Sequence, residues 1–313
     1  MNYNHFKLAY SLQINLSVRL QRTIKAEITV EGIGLHTGGR SAIRLKPAPK
    51  DTGVLFYRRD KNEYIAANVG SVCETSFATT LGLNGAKVRT VEHLLAALAG
   101  LGVDNVLVEM EGSEIPILDG SSGKFVEKIL AAGVADQPSK RPHMRITKPF
   151  VFREGDAEIS AFPYGGRRIT YQTFYPHRLL GAQQLTAEME EETFIREIAP
   201  ARTFGFLKDV QYLRAHGLAR GGSLDNAIIL SDTGVINPTG LRFKDEFIRH
   251  KLLDFIGDLS LIGFPIQGYL TARKTGHASN LRFAAELLAA SDCWEITSGA
   301  ELVIEQPRNI KYA

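Results

Sequence analysis

Two successive stretches of short β-type segments, each followed by apolar helices, set most of what this chain can fold into. In the first, Ile28 to Val30, Ser41 to Leu45 and Val54 to Tyr57 read as strands separated by Gly and Pro clusters. Val91 to Ala99 reads as a helix with Gly100 as its stop signal. Val103 to Met110 alternates as a strand, Pro116 to Gly120 is a turn, and Lys124 to Ala132 is a helix ended by Gly133. The second stretch follows the same plan. Strands are expected at Met144 to Ile146, Val151 to Arg153, Glu158 to Phe162, Ile169 to Phe174 and Gln267 to Arg273. Helices are expected over Glu192–Glu197, Leu207–His216, Glu246–Leu261 and Ser279–Ala290. A polar, Pro-containing stretch from Asp136 to His143 separates the halves and reads as a linker. At roughly 150 residues per domain, 313 residues suit two domains. The expected class is α+β, each domain a sheet covered by helices, with 1–20 as an extension, 21–138 as the first domain and 144–305 as the second.

Composition excludes several functions. A formal net charge of +3 is too weak an excess to argue for nucleic acid. No uncharged apolar run reaches the roughly 18 residues that would span a bilayer. Cys73 and Cys293 form neither a disulfide framework nor zinc-finger spacing, which fits a reducing compartment, and each is expected to be a small buried apolar residue. The chain up to Ala26 has no acidic residue and carries Lys7, Arg19, Arg22 and Lys25. It reads as a loose extension, with organelle targeting as the alternative.

Three segments carry chemistry. In His250-Lys-Leu-Leu-Asp254 an imidazole and a carboxylate lie four apart, on one face of a helix, a spacing that suits two ligands of one metal ion. Asp258 follows one turn later on nearly the same face, while Leu252, Leu253, Ile256 and Leu259 cover the opposite, core-facing side. By itself such a pair is more often a surface pair. Glu92-His93 opens an apolar helix; the histidine offers a third ligand and the glutamate a base beside it, although a lone Glu-His here is more often exposed or capping. Lys274-Thr-Gly-His277 is a turn whose histidine can act as a general acid, the plainer reading being a solvated turn. His36, in the glycine-rich loop Gly32 to Gly39, reads as structural. Neither a phosphate-binding Gly-x-x-x-x-Gly-Lys loop nor a Gly-x-Ser-x-Gly elbow occurs.

In order and spacing, these segments resemble the UDP-3-O-acyl-N-acetylglucosamine deacetylases, zinc enzymes of lipid A synthesis, over about Gln21 to Glu301. The resemblance is carried by Gly32-Ile-Gly-Leu-His-Thr-Gly38, Thr90-Val-Glu-His-Leu94, Gly102-Val-Asp-Asn105, Glu114-Ile-Pro-Ile-Leu-Asp-Gly120, Ala201-Arg-Thr-Phe-Gly-Phe206 and Gly221-Gly-Ser-Leu-Asp-Asn226. It continues through Leu241 to Asp258 and Lys274 to His277. It implies that His93, His250 and Asp254 hold Zn²⁺, with Fe²⁺ as the other ion this donor set accepts. It implies Glu92 as general base, His277 as general acid, Asp258 as the carboxylate orienting it, and Thr203 as the hydroxyl helping to hold the oxyanion. Phe204 falls at the substrate wall, and Lys251 and Lys274 near the nucleotide diphosphate. The implied fold places the active site in the cleft between the domains. The implied protein is a cytoplasmic monomer acting on a UDP-acyl-sugar, with Leu213 to Gly222 helping to line the acyl channel. One departure stands out: where the family has an Asp-Phe-x-x-Pro-like segment, this chain reads Tyr171-Gln-Thr-Phe-Tyr-Pro176. Two rivals remain: another metal-dependent amidohydrolase such as a peptidase, indifferent to nucleotide and fatty chain, and a non-catalytic nucleotide-lipid binder, which needs no intact ligand set.

Overall fold

The computed structural model describes residues 19–298 and the strand backbone of 15–17 and 301–303. Most of the expected 1–20 extension, and the end of the second expected domain, lie outside the described residues. The fold is mixed α+β with several sheets. A five-stranded sheet runs in the order Ile28–Ile33, Arg40–Pro47, Val106–Glu111, Val54–Arg58, Glu63–Ala66. Alternation along its strands turns one face inward, so that the antiparallel pairs Ile43 with Met110 and Leu45 with Val108 are buried. This face shares a core with α1 (Glu92–Gly100) and α2 (Gly123–Ala132). Gly133 ends α2 at φ +81, as expected of a glycine stop.

The second sheet has seven strands around Ile266–Arg273. That strand pairs antiparallel with Ala157–Phe162 and parallel with Arg167–Tyr175, and at its start parallel with His143–Ile146. Its C-terminal end feeds directly into Lys274 to His277, so the central strand delivers the loop histidine. Three further helices are α3 (Leu207–Ala215), α4 (Glu246–Leu259) and α5 (His277–Ala289). The residues expected as one helix over Glu192 to Glu197 form a helical turn, Glu191–Thr193, continued by a wider turn, Phe194–Ile198.

Two expectations are corrected. The supposed linker is largely strand: Val134–Lys140 pairs antiparallel with Leu20–Ile24, and His143 already opens the next strand. Its polar residues alternate between exposed and half-buried positions, which a search for turn residues mistakes for a loop. Cys73 is exposed and Cys293 half-buried, so neither is a core residue. Helix α4 is buried nearly all round. Only Arg249 and Lys251 are less than fully buried, because α1 covers the side that carries His250 and Asp254.

The α1–α4 contact depends on Gly257. A Cβ there would lie 2.2 Å from the carbonyl oxygen of Glu92. Close backbone approach is what a glycine in a helix permits, and here it brings both chemistry-bearing helices together. Gly257→Ala is expected to lower stability by about 1–3 kcal/mol through overpacking, read as a lower denaturant midpoint, and to reduce turnover by pushing α1 off α4.

Candidate metal and catalytic site

The first turn of α1 and the middle of α4 meet at three buried side chains. Donor atoms of His93, His250 and Asp254 lie within 4.8 Å of one another. Asp254 Oδ1 is 3.3 Å from His250 Nε2 and 3.6 Å from His93 Nε2, and the two rings stand edge to face with centroids 5.0 Å apart. His250 Nδ1 lies 3.1 Å from the carbonyl oxygen of Ala201, to which it donates, leaving Nε2 as a lone-pair donor toward the cluster. Burial pushes the His250 imidazole down to about 4, so it is neutral at pH 7. Burial alone would raise Asp254, but neighbouring positive charge, that of Lys251 at 2.9 Å included, holds its carboxyl well below the usual range. His93 Nδ1 is buried without a hydrogen-bond partner among the described residues. Two imidazoles and one carboxylate, drawn from two rigid helices, fit a divalent cation of the zinc type.

The framework behind His250 is a buried ion pair. Arg202 Nε lies 2.8 Å from Glu246 Oε1, with the two side chains 6% and 0% exposed. Glu246 also accepts from the backbone N–H of Arg202 and of Arg242, and Arg202 Nη2 reaches Gly240 O. This pins the Ala201 carbonyl under His250, and Thr203 beside it. Thr203 N donates to Gly120 O, and Gly120 sits at φ +83 where a Cβ would strike Asn226 O at 2.0 Å. Thr203 and Phe204 are both half-buried, and the Phe204 ring lies 6.4 Å from the His250 ring.

Glu92 lies beside the cluster on α1, fully buried, and its pKa is raised by loss of solvent. Its Oε2 accepts from the backbone N–H of Thr79 at 3.0 Å. His277, the first residue of α5, donates from Nδ1 to Asp258 Oδ2 at 2.9 Å. A cation at a helix N-terminus is disfavoured by the macrodipole, and burial disfavours it further. Asp258 outweighs both, and the imidazole is raised to about 9. The expected pairing of these two residues is therefore present.

The lysines are placed differently from each other. Lys251 Nζ bonds Asp254 Oδ2 at 2.9 Å, so its ammonium is drawn to the metal cluster. Lys274 Nζ bonds the exposed Asp156 and lies 5.7 Å from the centre of the Phe174 ring. His36 is buried, with neither ring nitrogen hydrogen-bonded among the described residues, while its loop is tied down by Glu114. That carboxylate accepts from His36 N, Thr37 N, Thr37 Oγ1 and Thr90 Oγ1. Segment 219–222 docks on the same loop through Gly221 N to Leu35 O. A cleft of 410 Å³ lies elsewhere, at the far ends of α1 and α4 against Leu98 and Leu259, and none of the chemistry-bearing residues lines it. Thr79 escaped the sequence reading, and Arg202, Glu246 and Glu114, though inside the matched motifs, were given no role there. No spacing rule marks them, since each acts through a contact made only in the fold.

Comparison with known proteins agrees with this geometry. The family model for UDP-3-O-acyl N-acetylglycosamine deacetylase matches residues 21–289. A UDP-3-O-acyl-N-acetylglucosamine deacetylase of Thermodesulfovibrio yellowstonii is 52% identical over 276 residues, covering 88% of this chain and 94% of that one. Proteins of the same description from Syntrophotalea carbinolica and Oleidesulfovibrio alaskensis are 42% and 48% identical, over 90% and 84% of this chain and 92% and 87% of theirs.

Proposed function

Because this chain belongs to the UDP-3-O-acyl-N-acetylglucosamine deacetylase family and is a metal-dependent deacetylase of that substrate, we propose the division of labour among its side chains. The observation that carries it is the convergence of His93, His250 and Asp254 next to a buried carboxylate and a paired imidazole. His93, His250 and Asp254 hold Zn²⁺, which when bound polarises the amide carbonyl and acidifies the attacking water. Glu92 takes the water proton. Its burial makes it a stronger base than a solvated carboxylate, with a pKa nearer the working pH. Thr203, held by Gly120, donates toward the oxygen on which charge develops. His277, protonated through Asp258, gives its proton to the departing amine, and acetate leaves. Phe204 walls the sugar site; Lys251, held on Asp254, and Lys274, held on Asp156, are the cations offered to the diphosphate. The acyl chain runs along Leu213 to Gly222, where Leu207 and Tyr212 already expose apolar surface nearby.

The site is assigned to the cleft between two domains, 21–138 and 144–305. Support comes from the origin of the ligands: His93 on α1 in the first, His250 and Asp254 on α4 in the second. Among the described residues no helix is long and apolar enough to cross a membrane; the reading takes the enzyme as a cytoplasmic monomer. Three intact ligands disfavour the non-catalytic binder.

Acetate release from UDP-3-O-acyl-GlcNAc of several chain lengths, followed against pH, tests the reading. Turnover is expected to require both the nucleotide and the fatty chain. An enzyme equally active on simple acetamides is instead a general amidohydrolase. The acid must be protonated, so kcat/KM is expected to fall as pH rises through about 9. The stability that the His277–Asp258 pair supplies has the same sign. It is fully present below the free histidine value of about 6.5 and lost as pH rises through about 9.

A further inference from the structure

Thr79 makes more contacts with the catalytic residues than any role in filling the core requires. It is fully buried, just ahead of the strand Thr80–Leu83. Its backbone N–H donates to Glu92 Oε2 at 3.0 Å, and its carbonyl accepts from Val91 N at 3.3 Å, at the start of α1. Its hydroxyl donates to Asp258 Oδ1 at 2.6 Å, and the same oxygen lies 3.3 Å from His277 Nδ1. One residue therefore touches the base, the acid and the carboxylate that orients the acid. Phe77, two residues earlier, holds the left-handed backbone conformation at φ +63, unusual for an aromatic residue and a mark of a segment held by its surroundings.

The proton count decides what the hydroxyl does. A threonine hydroxyl has one proton and lone pairs. Its proton goes to Asp258 Oδ1, so a lone pair faces His277 Nδ1. That nitrogen must then carry a proton, which it also shares with Asp258 Oδ2 at 2.9 Å. Asn280 Nδ2 fills Oδ2 from another direction at 2.8 Å. Both carboxylate oxygens are engaged, the carboxylate is held against rotation, and Nε2 is the ring nitrogen left for the substrate.

We propose that Thr79 is a positioning residue of the deacetylation reaction, fixing the orientation and tautomer of His277 through Asp258 while its backbone N–H aims Glu92. This rests on the assignment of Glu92 and His277 given above. The experiment compares Thr79→Val, which keeps the shape and the backbone N–H but removes the hydroxyl, with Thr79→Ser, each in wild-type and His277→Ala backgrounds. For the valine variant kcat is expected to fall about 10- to 100-fold, the worth of one hydrogen bond to a charged group, with KM and zinc content unchanged. The serine variant is expected to recover most of that loss. In the His277→Ala background the valine substitution is expected to have almost no further effect, because the two changes remove one function.

A valine variant with wild-type kcat overturns the proposal. So does an equal loss with and without His277, or a loss that tracks missing zinc. If the valine variant fails to fold, Thr79→Ala against Thr79→Ser asks the same question, and equal kcat values overturn it. Wild-type turnover by His277→Ala alone has a different meaning: it removes the acid assignment, and the hydroxyl then has no acid to orient.

Discussion

Acetate release by the Glu92→Ala variant is expected to be slower than wild type by about 10²–10⁴-fold, the usual contribution of a positioned general base, with zinc content unchanged. Glu92 is not one of the three clustered ligands, so its removal leaves their donor set whole. It is fully buried, its pKa is raised by loss of solvent, and one carboxylate oxygen is held by Thr79 N at 3.0 Å. A group so fixed, and poised above the ordinary carboxylate range, is suited to accept a proton at neutral pH and give it up again. The loss is expected in kcat more than in KM, because the proton moves in the transition state. Metal analysis on the same preparation separates the causes. Wild-type turnover from a zinc-loaded Glu92→Ala enzyme rejects the base assignment, and loss of zinc shows that Glu92 supports the metal centre instead.

His250→Ala is expected to remove both bound zinc and turnover. Losing a residue that only orients a ligand lowers metal affinity by about 10–100-fold; losing the ligand itself is expected to exceed that. The imidazole is well prepared for this role: burial keeps it neutral, its Nδ1 is committed to Ala201 O, and its Nε2 faces Asp254 Oδ1 at 3.3 Å. Retention of wild-type zinc stoichiometry by this variant would take His250 out of the ligand set. The fold is expected to survive the change, since α4 is held by Leu252, Leu253, Phe255 and Ile256 in the main core.

Much of the site was legible along the chain because it is local. A histidine and an aspartate four residues apart share a helix face whatever surrounds them, and α4 is a helix from Glu246 to Leu259. Glu92 and His93 sit at the start of α1, one residue from the expected boundary. The glycine stop at Gly133 and the strand that ends just before Lys274 were equally readable from residue type and period. Harder to read were strands without an apolar alternation. Gly181–Glu188 carries Gln183, Gln184 and Thr186 and exposes or half-exposes most of its residues, so it carries little of the signal of a buried face. Val134–Lys140 hid for a similar reason.

Residue type and spacing alone show which side chains share a helix face and, within a residue or two, where α1, α2 and α4 begin and end. These are properties of a few bonds and a fixed repeat. That α1 lies on α4, with no room for a Cβ at Gly257, so that His93 meets His250 and Asp254, is settled by long-range packing. Only there does Glu246 neutralise Arg202 beneath the site and Thr79 reach both Glu92 and Asp258, across 13 and 179 positions of chain. The reason is that burial and contact, which set charge state and orientation in this site, arise between segments far apart in sequence, where no local period records them.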